Sequence, residues 1–142
     1  MSALSPYILA VIAGWVIAQG AKYVLKVIQT GDVGQLRQLY LSGNMPSAHA
    51  TSVAALLTVI GISDGIDSGL FALAALFAAI VMYDAVMVRR SSGEQGKAIQ
   101  LLIKESKSTI QIPRAAKGHT PIEVLVGGLL GAVIGVVVVL AT

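Results

Sequence analysis

Four apolar stretches divide the chain, separated by polar segments of very different length. The first runs from about Leu4 to Ile28, with Ser5-Pro6 as cap and first turn. The second covers about Pro46 to Ile62, the third about Ser68 to Val88 and the fourth about Pro121 to Leu140. A helix needs about 20 apolar residues to cross a bilayer, with a range of roughly 17 to 25. Three stretches meet this comfortably, while the second is short and polar at its start. None alternates with a period of two, which argues against a membrane β-barrel. The pattern predicts an all-α integral membrane bundle with about four transmembrane helices in one domain, with spans near 4–28, 46–62, 68–88 and 121–140.

The polar connections fall on two sides. A tight turn, "SDGIDSG", joins the second and third spans and carries Asp64 and Asp67. The longer segments 29–45 and 89–118 lie on the other side, and parts of both read as interfacial helices. In "GQLRQLYL", Leu36, Leu39 and Tyr40 share a face; in "GKAIQLLIKESK", Ile99, Leu102 and Ile103 do, with Lys104 and Lys107 elsewhere.

Composition narrows the class. Of 142 residues, 56% are hydrophobic and 12% charged, against roughly 25% charged in a soluble domain. No positive charge precedes the first apolar run, so it reads as a retained helix rather than a signal peptide. The absence of cysteine excludes disulfides and thiolate metal sites. All ten Lys and Arg residues lie on or near the side of the long connections: Lys22, Lys26, Arg37, Arg89, Arg90, Lys97, Lys104, Lys107, Arg114 and Lys117. The positive-inside rule makes that side cytoplasmic. A phosphate-binding site would gather cations there too, so the two causes overlap.

Small residues mark where helices approach. Gly127, Gly131 and Gly135 recur every four residues in the last span, and Ala10, Gly14 and Ala18 do so in the first. Continuing the first stripe reaches Lys22 and Lys26, which either face inward or snorkel to the headgroups.

The candidate chemistry gathers at the basic side. The two histidines open the second and fourth spans, His49 in "GNMPSAHATS" and His119 in "KGHTPIEV". Helix N-termini favour anions through free N–H groups and the helix dipole. Two imidazoles, several cations and two such termini suggest an oxyanion site. Glu123 follows His119 by four residues, about 6 Å further along the axis. It can orient the imidazole as the third group behind an activated nucleophile, close a capping box with Thr120, or both. Asp84 is an intramembrane carboxylate, a functional candidate or a structural partner for Lys22 or an arginine. Arg89 and Arg90 either clamp phosphate oxygens or anchor the span at the headgroups. Ser47 supplies a donor to the anion or caps its helix.

Together these segments resemble the type-2 phosphatidic acid phosphatase and vanadium haloperoxidase superfamily, in its divergent small membrane branch. "PSAH", Pro46 to His49, resembles that superfamily's PSGH motif with Ala48 for glycine. "HTPIE", His119 to Glu123, resembles its HxxxD with glutamate for aspartate, and "AQGAK" offers Lys22 as the first-motif lysine. There are departures. Gln29 stands seven residues after Lys22 with no Arg-Pro, and Pro113 stands six before His119 where the motif has arginine. Four spans also replace the six usual in membrane members, so the bundle is either minimal or oligomeric.

The resemblance implies a metal-independent phosphatase. His119 would be the nucleophile, Glu123 its orienting carboxylate and His49 the proton donor. Lys22, Ser47 and an arginine, Arg89 or Arg90, would hold the phosphate. No cofactor is required, and Asp84 leaves room for Mg²⁺. The expected partners are the membrane and a lipid phosphate, with no nucleic acid. Phosphatidylglycerophosphate is favoured, because it is made on the cytoplasmic face and the branch resembles enzymes acting on it. A polyprenyl diphosphate or phosphatidic acid phosphatase, and a non-enzymatic lipid-phosphate binder or transporter, are the alternatives; haloperoxidase chemistry fits a small membrane bundle poorly.

Overall fold

The computed structural model describes residues 4–34, 45–113, 115 and 118–142, and every regular element among them is helical. Helix α1 covers Pro6–Thr30 and α2 covers Ala48–Ser63. Helix α3, Gly69–Tyr83, passes through a π-helical turn, Asp84–Val88, into α4, Arg89–Glu105. Helix α5 covers Pro121–Ala141. The segment "GQLRQLYL" lies outside the described residues except for its first glycine, as do Arg37, Arg114 and Lys117.

Three helices are long and apolar enough to cross a membrane: α1 with 25 residues, the continuous α3–α4 helix with 37, and α5 with 21. The chain is an integral membrane helical bundle. The second expected span is the exception. Helix α2 has 16 residues, about 24 Å at 1.5 Å per residue, against a hydrocarbon core of about 30 Å. It begins at Ala48 rather than Pro46, because Ser47 has left the helical conformation to cap it. The helix expected over "GKAIQLLIKESK" forms through Glu105, but as the continuation of the third span rather than as a separate interfacial piece.

Helix α2 is the centre of the bundle. It packs against α1, α3 and α5, and α1 also meets α5. Both small-residue stripes do what their spacing implies. Ala10, Gly14, Ala18 and Lys22 are the buried positions of α1. A Cβ on Gly14 would lie 3.1 Å from Ser52 Cα. On α5, a Cβ on Gly127 would lie 2.7 Å from the Ser47 carbonyl oxygen, and one on Gly135 would lie 2.7 Å from that of Ala55. Gly131 sits against the Thr51 carbonyl with no room for a side chain. Backbones this close gain dispersion contact, the main attraction available where lipid is as apolar as the helices. The core above the site is Ala10, Ala55, Val59, Ile134 and Val138. Helix α3 buries only Ala78 and turns Leu70, Leu73, Leu76, Phe77 and Ile80 outward, a surface suited to acyl chains.

Candidate active site at the basic end of the bundle

Because α5 is pressed onto α2 through glycines, the start of one helix lies beside the start of the other. The Ser47 amide donates to the Glu123 carbonyl at 3.3 Å, tying the two openings together. The Ser47 hydroxyl is fully buried and accepts from the Ala50 amide at 3.4 Å, so it caps α2. Thr51 donates its amide to the Ser47 carbonyl. Among the described residues, no acceptor is found for the Ala48 and His49 amides, the first of α2. His49 is the second helical residue and its side chain is exposed, shallower than a full turn into the helix.

His119 is 5% exposed. Its Nδ1 lies 3.2 Å from Glu123 Oε2, and the same oxygen accepts the Thr120 amide at 3.0 Å. Thr120 Oγ1 in turn accepts the Glu123 amide at 3.3 Å, which completes the capping box. The one carboxylate thus both closes the capping box and holds the His119 ring. An ionised carboxylate only accepts, so Nδ1 carries the proton and Nε2 is left with its lone pair when the ring is neutral. Burial pushes the His119 pKa below its ordinary value. The Glu123 hydrogen bond and charge oppose this, and the charges of Lys22 and Arg89 add to it.

Lys22 is 7% exposed at the end of the α1 stripe and feels the Glu123 carboxylate. Inward facing, not snorkelling, describes it. With Leu25, Lys26, Gln29, Met45 and Glu123 it lines a cavity of about 300 Å³. On the other side of the His119–Glu123 pair, a second cavity of about 290 Å³ is lined by Arg90, Gly93, Glu94, Lys97, Gly118, His119 and Thr120. His49 lies within electrostatic range of Arg89, Lys22, His119 and Asp84, so both histidines and both cations lie near one another at this end of the bundle. Arg89 Nε is paired with Asp84 at 2.7 Å, whereas Arg90 Nε turns to Glu94 at 3.2 Å. Asp84 is thus paired with an arginine, one of the partners its sequence position offered.

His49 also lines a groove of about 400 Å³, together with Val11, Ile12, Trp15, Ser52, Val53, Phe77 and Val81. The one hydroxyl in that lining, on Ser52, donates to the Val11 carbonyl. The groove therefore offers apolar contact and no free hydroxyl. It joins residues from three helices and left no motif in the sequence.

A family model for divergent PAP2 proteins matches residues 4–134. The chain belongs to the divergent PAP2 family. Over 111 residues it is 40% identical to an uncharacterized membrane protein, YuiD, of Bacillus subtilis (strain 168), a match covering 68% of this chain and 70% of that relative. No solved structure matches it. Divergent PAP2 membership relates the chain to the phosphatase superfamily that its PSAH and HTPIE segments resemble.

Proposed function

We infer that this divergent PAP2 protein is a membrane phosphatase that hydrolyses a lipid phosphomonoester through a phosphohistidine. The observation that carries this reading is the His119–Glu123 pair. It is a buried imidazole whose Nδ1 is held by a carboxylate, with Lys22 and Arg89 in electrostatic range. His119 Nε2 attacks phosphorus as the bond to the lipid oxygen breaks. His49 gives its proton to that oxygen, which departs as the alcohol. Glu123 stabilises the positive charge that develops on the ring. In the second step His49 takes a proton from water, the water oxygen bonds to phosphorus, the P–N bond breaks and phosphate leaves. Lys22, Arg89 and the first amides of α2 stabilise the equatorial oxygens, where phosphoryl transfer gathers its charge. Of the two arginines, Arg89 takes this role, because its charge acts on both histidines while Asp84 holds its Nε.

The apolar groove at His49 supports a lipid rather than a free phosphate ester, because it gives the chain of the leaving group a place beside the proton donor. With the site on the cytoplasmic face, phosphatidylglycerophosphate is the favoured substrate. The test is turnover of a panel of lipid phosphates by the purified protein, with an alkaline dodecyl sulfate quench to trap the phosphoenzyme, whose P–N bond survives alkali and is cleaved by acid. Hydrolysis and trapping, both abolished in His119→Ala, are expected. Binding of the lipids without any turnover would favour a lipid-phosphate binder or transporter instead.

A further inference from the structure

The turn at Asp84–Val88 is where the long helix departs from α-helical geometry. The Arg89 amide donates to the Asp84 carbonyl, five residues back, and so passes over the carbonyl of Ala85. That carbonyl accepts the backbone N–H of His119 at 3.2 Å. The fit is closed from the other side by Gly118. A Cβ there would lie 2.5 Å from both Arg90 Cα and Arg90 N, and 2.9 Å from the Arg89 carbonyl carbon. Two more contacts lead the chain to this point along α4. Gln100 Nε2 donates to the Pro113 carbonyl at 2.7 Å, and a Cβ on Gly96 would lie 3.0 Å from that of Ala115. Pro113, Ala115 and Gly118 thus each touch this helix, and His119 follows where the π turn has exposed an acceptor.

The same turn sets the neighbouring ion pair. Residues five apart on an α-helix point about 140° away from each other at 3.6 residues per turn. A π turn, which encloses one more residue per hydrogen bond, brings them back towards one face. Arg89 and Asp84 are five apart and in contact at 2.7 Å. One backbone irregularity therefore fixes both the histidine and the arginine beside it.

We propose that the π turn and Gly118 form a positioning element that docks the backbone of His119 onto the third membrane helix, with the Ala85 carbonyl and Gly118 as positioning residues for the reacting imidazole. The proposal rests on the reading of His119 as the nucleophile only for its effect on turnover; the docking itself does not. With backbone held by Ala85 and Nδ1 held by Glu123, the ring has little freedom left, and Nε2 is aimed rather than merely present.

The experiment uses the full chain, labelled with ¹⁵N only at histidine, in detergent micelles. Two histidines give two amide and two imidazole signal sets, and a His49→Gln sample leaves that of His119. The His119 amide is expected to exchange with solvent at least about tenfold more slowly than in a variant lacking Val86, whose helix regains the α-helical ladder and takes back the Ala85 carbonyl. Gly118→Ala is expected to shift the His119 imidazole signals and to lower kcat about 10²-fold with KM little changed, as for a misplaced reacting group. Gly20→Ala serves as the control, because a Cβ there meets nothing within 4 Å; it should change neither. An unprotected His119 amide in the unaltered protein overturns the proposal, and so does a folded Gly118→Ala protein that matches Gly20→Ala in signals and kcat. Should Gly118→Ala fail to fold, exchange in the unaltered protein decides. Should no lipid phosphate be turned over, the phosphatase reading falls while amide exchange still decides the docking.

Discussion

At His119, burial and a carboxylate pull in opposite directions. Burial disfavours the imidazolium and the Glu123 hydrogen bond favours it, with burial the larger effect. The ring is therefore expected to titrate below about 6.5, the ordinary histidine value, when followed by NMR. Removing the favourable partner in Glu123→Gln should lower the midpoint further, and removing a repelling charge in Lys22→Gln should raise it; shifts of the opposite sign would contradict the assigned geometry. The same depression has a consequence for stability. Between the folded and unfolded midpoints the unfolded chain binds more protons, so stability rises with pH through that window. The His119 contribution is complete above about pH 6.5 and is lost as the pH falls below it. Unfolding followed at pH 5.5 and 7.5 should show this acid loss reduced in His119→Gln. A second residue-scale expectation concerns His49. A lipid alkoxide needs a proton to leave and a nitrophenolate does not. Losing a general acid costs about 10²–10⁴-fold. His49→Ala should therefore damage lipid hydrolysis far more than hydrolysis of an aryl phosphate in single-turnover assays, and His119→Ala should damage both; equal losses in His49→Ala would leave His49 as a packing residue. These four side chains, Lys22, His49, His119 and Glu123, were legible because a polar residue at the edge of an apolar run stands out. Ala85 was not, because what it contributes is a carbonyl, and any residue has one.

Between elements, contact depends on what is missing from the side chains. The spacing of Gly127, Gly131 and Gly135 announced a packing face, and α2 lies against it. Gly128, one residue away, faces only the end of a flexible side chain, Met82 Cε at 3.4 Å. This pair makes a controlled comparison. Gly131→Ala drives a methyl into the Thr51 carbonyl, and overpacking of this kind costs about 1–3 kcal/mol. It should also part His49 from His119 and lower turnover. Gly128→Ala should be nearly neutral. Unfolding in mixed micelles with increasing dodecyl sulfate measures both, and similar midpoints for the two variants would show that the α2–α5 contact is not the tight one. The continuity of α3 with α4 was harder to foresee. "VRRSS" has the composition of a span end, where cations meet headgroups, and hydrophobic patterning marks where a helix leaves lipid rather than where it stops. A π turn leaves even less trace, because its residues, "DAVMV", are ordinary helix formers and the distinction lies in the hydrogen-bond partner.

For the whole molecule, the charge pattern and the groove make separate claims. The basic side is expected to be cytoplasmic, so an impermeant thiol reagent applied to intact cells should label Ile66→Cys, in the α2–α3 turn, and spare Ser92→Cys on α4. Labelling of Ser92→Cys alone would invert the topology and put the site outside. The groove tests the lipid assignment itself. It is bounded by Val11, Ile12 and Trp15 of α1, Ser52 and Val53 of α2, and Phe77 and Val81 of α3, and of its lining residues His49 is the one that belongs to the site. Lipid is as apolar as the groove, so a chain seated there gains close packing against Trp15, Phe77 and Val81 rather than transfer from water. Lipid phosphates of increasing chain length should therefore gain in kcat/KM until the groove is full. Val81→Trp fills part of it and should remove that gain while leaving a short, soluble phosphomonoester almost unaffected. Val133→Trp adds the same bulk to an outward-facing position of α5 that lines none of the cavities described, and should leave the chain-length dependence in place. If Val81→Trp lowers short and long substrates by the same factor, the groove has no part in recognition and the lipid chain lies elsewhere on the bundle. If chain length has no effect in the unaltered protein, the case for a lipid substrate loses its structural support, and a soluble phosphomonoester meeting the same histidines becomes the better reading.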